Sequence, residues 1–211
     1  MLALLHTQAT TDADRLAYVL HDRDVSYRRL WSRIERGSAR LHGEWGVRRG
    51  DTVAYVGCGH PDAIVLYFAL LRIGATLLPL ERVPLSAMSA LCADRNVTLA
   101  VHDDDYRVPD LPARRLEDLL AVWSHHDPLV AEDDDTCRAL WLPAEDGEFQ
   151  PTSLLELCAD LPEWPRTTCV NDRLFTRDVL RHIVLPSLVS AQQMQFAATP
   201  VALQLDGTAV R

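Results

Sequence analysis

The sequence contains no lysine, so all 21 of its basic side chains are arginines. Such a chain cannot form a Schiff base through its own side chains, provide the lysine of a phosphate-binding loop or polarise a carboxylate with an ammonium group. Over 211 residues, 30 acidic side chains outnumber the basic ones and give a formal net charge of −9. Nucleic acids and anionic membrane surfaces attract basic faces, so we expect neither as the main partner.

Cysteines in a disulfide or zinc-binding pattern are also lacking. The chain has five widely spaced cysteines and no C-x-x-C motif: Cys58, Cys92, Cys137, Cys158 and Cys169. This odd set predicts reduced thiols in a cytoplasmic protein rather than a disulfide scaffold or a zinc ribbon. Residues 1–14 have no basic segment of the kind a signal peptide needs. The most apolar stretch, 63–80, is interrupted by Arg72 and Gly74, which favours helix, turn and strand over a membrane span.

Apolar residues alternate between strand-like and helical spacing along the first half of the chain. The pattern predicts a hairpin over 16–20 and 25–27, then a helix that is capped by Ser26 and ends near Leu41. It further predicts strands at 52–56, 75–78 and 97–101, and helices at 62–72 and 86–94. Strand and helix alternation at this spacing indicates an α/β fold, with a parallel sheet and helices on both faces.

The pattern loosens beyond residue 103. We expect short helices at 116–122 and 152–160, a short strand at 139–142, and loops at 103–112 and 143–151. An acidic connector occupies 132–135. A long amphipathic helix is predicted over 177–193, kinked or divided at Pro186 because proline lacks the backbone N–H of a helix interior. A last strand is predicted at 201–205.

Three linked segments resemble the start of adenylate-forming enzymes, the superfamily of acyl-CoA synthetases and luciferase. Residues 26–30 are similar to the family's T-Y-x-x-L helix start, and 46–54 to its G-V-x-x-G-D-x-V-A segment. Residues 69–80, ALLRIGATLLPL, are similar to A-x-x-x-x-G-A-x-x-x-P-L. The resemblance implies the family's N-terminal α/β subdomain over 12–142. Residues 143–211 would be a degenerate remnant of the next subdomain or an appended helical tail, with 152–205 only weakly similar to the family.

In this family a strand is followed by a T-S-G-T-T-G-x-P-K-G loop, which holds the phosphates of ATP. Here the sequence after the predicted strand is AEDGEFQPTS, residues 144–153. If Pro151 occupies the motif proline, Thr152 replaces the lysine, and acidic residues replace glycine or hydroxyl residues. The degenerate phosphate loop then comprises Glu145, Asp146, Gly147, Glu148, Pro151 and Thr152. A carboxylate 4 Å from a phosphate charge costs about 1 kcal/mol in water and about 4 kcal/mol at an effective dielectric constant of 20.

The family's Y-G-x-T-E and T-G-D segments and its lid with a catalytic lysine are not found in these residues. We therefore predict no catalytic residues, no cofactor and no metal. Other candidates have ordinary alternatives. The turn at 57–60, GCGH, is either a plain connection or an anion contact. His125, His126 and Asp127 are either metal ligands or part of a solvated loop. A nucleophilic Cys58 or Cys169 with His60 or His182 as base is the weakest of these hypotheses.

The favoured function is that of a catalytically inactive family member acting as a binding, scaffolding or regulatory partner in acyl or aryl acid metabolism. Its partner would be an enzyme or carrier protein of that metabolism, or a second copy of the chain. A stripe on the 177–193 helix is the candidate interface: Leu180, Ile183, Val184 and Leu188. The alternative is that this helix folds back on the chain's own sheet. Alternative functions are part of a split AMP-dependent ligase completed by another chain, and a remnant-cleft enzyme or small-molecule binder for acyl or aryl acids.

Overall fold

The computed structural model describes residues 1–20, 23–81, 83–103, 108–121, 140–144, 147–165, 167, 169–170 and 173–196. Within these residues the strands are β1 Leu16–Leu20, β2 Arg23–Ser26, β3 Thr52–Val56, β4 Thr76–Pro79, β5 Val97–His102, β6 Ala113–Arg115, β7 Leu140–Pro143, β8 Phe149–Thr152, β9 Cys169–Val170 and β10 Met194–Phe196. The helices are α1 Leu2–Thr11, α2 Tyr27–Gly43, α3 Ala63–Ile73, α4 Leu85–Asp94, α5 Leu116–Leu120, α6 Leu154–Cys158, α7 Arg177–Val179 and α8 Leu185–Val189, with a π-helical turn at Leu180–Val184 between the last two.

The larger sheet has six strands in the order β6-β5-β3-β4-β7-β8. All neighbours are parallel except β7 and β8, which form an antiparallel hairpin. Alternate residues of β3 face two different apolar cores. Val53 and Tyr55 belong to the first core, and Ala54 and Val56 belong to the second. The first core includes residues of α2, α3 and α5, and the second includes Met88 and Cys92 of α4. The predicted α/β fold with helices on both faces is thus confirmed.

Helix α3 is buried along its whole length, as expected for a segment that is apolar on every side. It ends at Gly74, which adopts the left-handed conformation (φ 77°) and donates its N–H to the Leu71 carbonyl at 3.1 Å. Glycine takes this conformation without the strain of a Cβ atom. The short connection turns the chain directly into β4, so the apolar 63–80 stretch forms a helix, a turn and a strand.

Helix α2 begins at the predicted cap, where the Ser26 side chain accepts the N–H of Arg29 at 3.4 Å. Two arginines attach its inner side to neighbouring helices. Arg72 of α3 lies over the ring of Trp31 at 5.0 Å, and buried Arg40 donates to the carbonyls of Asp118 and Ala121 beside α5. A planar guanidinium can stack on an aromatic ring and donate to several acceptors, which a lysine ammonium cannot do equally well.

The smaller sheet has the order β2-β1-β10-β9 and joins the two ends of the described chain. The predicted hairpin forms β1 and β2, while β10 lies parallel to β1 and pairs Met194 with Tyr18. Strand β10 was not predicted, and the strand predicted at 201–205 lies outside the described residues. The proposed division at 142/143 stays a prediction; it falls within β7, whose hydrogen bonds to β8 cross it.

The 177–189 helix is continuous, but it changes geometry before Pro186. The N–H of Leu185 bonds to the carbonyl of Leu180, five residues back. A wider turn of this kind accommodates a proline that cannot donate its own hydrogen bond. Along this helix Leu180, Val184 and Leu188 are at most 1% exposed.

The proposed contact stripe is therefore corrected. Leu180, Val184 and Leu188 belong to the chain's own core, and Ile183 packs half-buried against it. The side-chain amide of Gln8 donates to the Leu188 carbonyl at 2.8 Å, so the helix also contacts α1. The alternative, in which the helix folds back on the chain, is what the structure shows. An apolar helical stripe by itself cannot distinguish these cases, because both bury the same residues.

Candidate functional site

Four residues of the predicted phosphate loop are described, Gly147, Glu148, Pro151 and Thr152, and they lie in the turn and second strand of the β7–β8 hairpin. The strands pair Trp141 with Pro151 and Pro143 with Phe149, so part of the predicted 143–151 loop is strand. Ala144 donates its N–H to the Glu148 carbonyl at 2.8 Å, and Gly147, at φ 85°, closes the turn. Pro151 is compatible with β8 because this strand is at the edge of the sheet.

The two ends of this loop have different environments. Gly147 and Glu148 are exposed at the turn, whereas Thr152 is 1% exposed at the end of β8. The Thr152 hydroxyl contacts the carbonyl of Gln150 and a guanidinium nitrogen of Arg177, each at 3.4 Å. If Thr152 occupies the position of the family's lysine, that position is buried at the end of the edge strand β8. Glu145 and Asp146 lie outside the described residues.

Two arginines that the sequence analysis did not connect with the loop contact this hairpin. Arg95 stacks over Trp141 at 4.7 Å and donates to the Phe149 carbonyl at 3.4 Å. Arg177 reaches Thr152 from the start of the 177–189 helix. Along the chain, Arg95 is 54 residues from Phe149, and Arg177 is 25 residues from Thr152. No local motif marks such separations, so only the sheet order could have revealed these contacts.

A second polar cluster, which the sequence analysis missed, lies at the carboxyl ends of β3, β4 and β5. Parallel strands end at the same edge of a sheet, and residues following them converge there. Glu81 follows β4 and is 7% exposed, while Asp103 follows β5 and accepts a hydrogen bond from the Tyr55 hydroxyl of β3. We call Tyr55, Glu81 and Asp103 the sheet-end cluster.

Burial dominates the electrostatics of the sheet-end cluster. It raises the pKa of Glu81 from 4.5 to about 7, because a buried carboxylate loses its hydration, and the charge of Asp103 adds to this effect. Backbone hydrogen bonds from Phe175 and Leu174 oppose it. Burial likewise raises the pKa of Tyr55 well above its usual value, with Asp103 as the next cause. The cluster therefore holds a carboxyl group that exchanges its proton near neutral pH.

The glycine turn at 57–60 is a structural connection that fits around this cluster. A Cβ atom on Gly57 would clash with the Asp103 carboxylate, and the N–H of His60 donates to the Tyr55 hydroxyl at 3.0 Å. The carboxylate beside Gly57 would repel an anion at this turn. His60 Nδ1 accepts the Asp62 amide, and His182 Nε2 lies 3.7 Å from Asp178. Both imidazoles thus have partners other than a cysteine.

A third polar group links the smaller sheet to α2 and to the start of α3. The Tyr18 hydroxyl of β1 donates to Asp62 at 2.6 Å, and the Arg33 guanidinium contacts the same carboxylate oxygen at 2.8 Å. Burial, followed by the Asp62 charge, raises the pKa of Tyr18 well above its usual value. Asp62 stands immediately before α3, where a negative charge is favourable at the positive end of the helix dipole. This group orients α3 and the 57–60 turn.

Within the described part of the chain no three His, Cys, Asp or Glu side chains are grouped so that they could hold a metal ion. His125, His126, Asp127 and the acidic connector 132–135 lie outside it. No helix in the described ranges is long and apolar enough to span a membrane.

Comparison with known proteins identifies the family. The family model for the AMP-binding enzyme matches residues 5–171. This chain belongs to the AMP-binding enzyme family. Triostin synthetase I of Streptomyces triostinicus is 38% identical over 112 residues, which is 49% of this chain and 21% of that protein.

Solved structures of AMP-binding enzymes share the fold. O-succinylbenzoate coenzyme A synthetase (MenE) of Bacillus subtilis, in complex with AMP, matches with a TM-score of 0.76 at 14% identity, over 92% of this chain and 55% of that one. The N-terminal subdomain of Klebsiella oxytoca NpsA, in complex with 3-hydroxyanthranilyl-AMSN, matches with a TM-score of 0.71 at 18% identity. This match covers 93% of this chain and 53% of that one. The chain thus spans about half the length of these structures and about a fifth of the curated relative.

The match to the AMP-binding enzyme family confirms the predicted ancestry and extends it. It continues through the β7–β8 hairpin to residue 171, beyond the segments on which the resemblance was based. The likeness to solved structures covers 92–93% of the chain. The 143–171 region, which contains the residues predicted to form a degenerate phosphate loop, is therefore part of the family's own fold.

Proposed function

We propose that this chain is a catalytically inactive member of the AMP-binding enzyme family that binds a protein of acyl or aryl acid metabolism in the cytoplasm. The degenerate phosphate loop carries the proposal. Its turn exposes Glu148 beside Gly147, and the chain has no lysine with which to meet a phosphate. Anion binding needs donors and positive charge, so a carboxylate at this turn opposes it.

The environment of Thr152 supports this interpretation. A lysine at a phosphate loop acts by extending an ammonium group toward the phosphates, whereas the Thr152 side chain is short and buried. Placing the motif on Gly147 instead would assign the lysine's position to Gln150, an exposed and uncharged side chain. Neither register supplies a cation from the loop itself.

Retention of the scaffold supports a binding role. The buried strands and helices that build the fold are intact, while the loop that supports chemistry is altered. Two large apolar side chains remain exposed in neighbouring segments, Leu155 at 60% and Trp164 at 59%. Tryptophan is enriched at protein interfaces, so these residues are the proposed contact. The acyl or aryl context comes from relatives named for O-succinylbenzoate and for a 3-hydroxyanthranilyl ligand.

Calorimetric titration with ATP–Mg²⁺ tests the inactivity. We expect no heat of binding and no pyrophosphate exchange with any carboxylic acid, with the Bacillus subtilis synthetase as a positive control. Micromolar affinity for ATP or measurable exchange by this chain alone would overturn the proposal. Exchange only after a second protein is added would favour the split-ligase alternative.

Binding measurements test the partner. The adenylate-forming enzymes and acyl carrier proteins of the same organism are titrated individually against the immobilised chain. One of them is expected to bind, with an affinity that falls at least about tenfold in a Leu155→Ser, Trp164→Ser variant. Val189→Ser is the matched control, because Val189 is also exposed but lies on α8. Absence of binding by every candidate would contradict the proposed role.

A further inference from the structure

Glu81 joins two distant parts of the chain. Its Oε2 accepts the backbone N–H of Phe175 at 3.1 Å, across a separation of 94 residues. Its Oε1 is buried and has no hydrogen-bond partner in the part of the chain that the structure describes. One carboxyl group thus holds the segment before the 177–189 helix against the end of β4, and one of its two oxygens has no hydrogen-bond partner among the described residues.

The charged groups around Glu81 determine whether its ionisation is favourable in the folded protein. Among the described residues, the titratable or charged groups that face it are Tyr55 on β3, Asp103 after β5 and Arg173 in the segment itself. Arg173 is exposed, so solvent screens its charge, whereas Asp103 is partly enclosed and bonded to Tyr55. An ionised Glu81 therefore places a second carboxylate charge at the sheet-end cluster.

The segment held by Glu81 also fixes the start of the helix. Phe175 is buried, and its ring meets Tyr55 edge-on at 5.8 Å and Tyr67 at 6.2 Å. The next residue, Thr176, caps the helix by accepting the N–H of Val179 at 3.2 Å. Movement of 173–176 would therefore expose Phe175 and loosen the first turn of the helix.

We propose that Glu81 is a proton-controlled clasp, which holds residues 173–176 against the sheet when it is neutral and releases them when it ionises. A neutral carboxyl oxygen accepts the Phe175 amide without bringing a second charge beside Asp103. Once Glu81 loses its proton to solvent, separation of the segment rehydrates the carboxylate and relieves the repulsion. The device would make the attachment of the 177–189 helix depend on pH near neutrality.

The raised pKa of Glu81 determines whether closure of residues 173–176 is favoured at low or at high pH. The Glu81 pKa of about 7 in the closed state lies above the 4.5 expected on full hydration, so the closed state binds more protons between these values. Closure is then fully favoured below about pH 4.5 and is lost as pH rises to about 7. Within this window the opening equilibrium should rise by up to about tenfold per pH unit.

Amide hydrogen exchange measured by NMR tests the clasp. After correction for intrinsic exchange, the protection factor of the Phe175 amide is expected to fall by roughly 100-fold between pH 5 and 8. Amides of Val53 and Leu77 in the central strands exchange through wider unfolding and serve as internal references, which should stay better protected than Phe175 at every pH. A pH-independent protection factor at Phe175 would overturn the proposal.

Three variants distinguish a pH effect that depends on Glu81 from a general change in stability. Glu81→Gln is a permanently neutral analogue and should abolish the transition, and Asp103→Asn should move its midpoint to lower pH by removing the adjacent charge. Glu163→Gln changes an exposed acid and should leave the transition unchanged. If Glu81→Gln does not fold, the clasp is still tested by the pH transition of the Phe175 amide in the wild type and by the midpoint of that transition in Asp103→Asn. A transition unchanged in Asp103→Asn, or retained in a folded Glu81→Gln variant, contradicts the clasp.

Discussion

Acidic residues follow strands of the same sheet in two places, and the two sets have different environments. At the ends of β4 and β5, Glu81 and Asp103 converge, and Glu81 is almost fully buried. At the β7–β8 turn, Glu148 is exposed to solvent. The same type of side chain is therefore buried with a raised pKa in one place and exposed to water in the other.

This difference shows where the fold tolerates change. A buried acid needs a proton or a partner, because ionisation without hydration destabilises the folded state. Acids in an exposed turn have little effect on folding, so a loop can lose the residues needed for chemistry without loss of the scaffold. We infer that the sheet-end cluster is constrained by stability, whereas the hairpin turn is not.

The largest expected effect is at the centre of the buried region. Replacement of fully buried Leu66 by alanine should lower the free energy of unfolding by about 2–5 kcal/mol, because it leaves a cavity in α3. Leu155→Ala, at an exposed position on α6, should change it by less than about 0.5 kcal/mol. Urea denaturation measures both. Equal effects would mean that α3 is not the core of the fold.

The next effect is a pH dependence of stability. The rise in the Glu81 pKa from 4.5 to about 7 corresponds to at most about 3 kcal/mol. This stabilisation is present below about pH 4.5 and is lost as pH rises to about 7, since the folded state retains the proton longer. Glu81→Gln should therefore be more stable than the wild type at pH 8. Urea titrations of both proteins at pH 5 and 8 provide the measurement, and a stability difference between wild type and variant that is the same at both pH values would contradict it.

A smaller effect is expected at Gly57. Gly57→Ala brings a methyl group into the Asp103 carboxylate and should cost about 1–3 kcal/mol through overpacking. Asp103→Ala in the same chain removes the clash, so the two substitutions should be strongly non-additive in a double-mutant cycle. Gly147→Ala is the comparison at the hairpin: open space surrounds it, and its cost should be independent of Asp103. Additive behaviour of Gly57→Ala and Asp103→Ala would show that the close approach is unimportant.

The smallest effect is expected at Glu148. Neutralising this exposed turn residue as Glu148→Gln should alter the free energy of unfolding by less than about 1 kcal/mol, since water already solvates the charge. Thermal unfolding at pH 5 and 8 measures it. A loss as large as that of Leu66→Ala would show that the turn is constrained and would remove the contrast between the two regions.

The elements predicted most accurately are those whose local pattern and final environment agree. Strand β3 and helix α3 are almost entirely apolar and are buried along their whole length, so their sequences indicate both structure and location. Strand β8 was predicted as loop because it contains Pro151 and follows an acidic stretch. Its strand conformation depends on pairing with β7 at a sheet edge, where a missing N–H is tolerated.

The sequence by itself determined the family, the parallel sheet and the absence of lysine from these 211 residues, because these depend on local motifs, periodicity and composition. Only the tertiary structure decided that Leu180, Val184 and Leu188 are core residues, and that Glu81 and Asp103 meet. An apolar stripe does not specify what covers it, and strand order does not follow from chain order. Groups that are 94 residues apart, such as Glu81 and Phe175, become neighbours only when the sheet and the 177–189 helix are assembled.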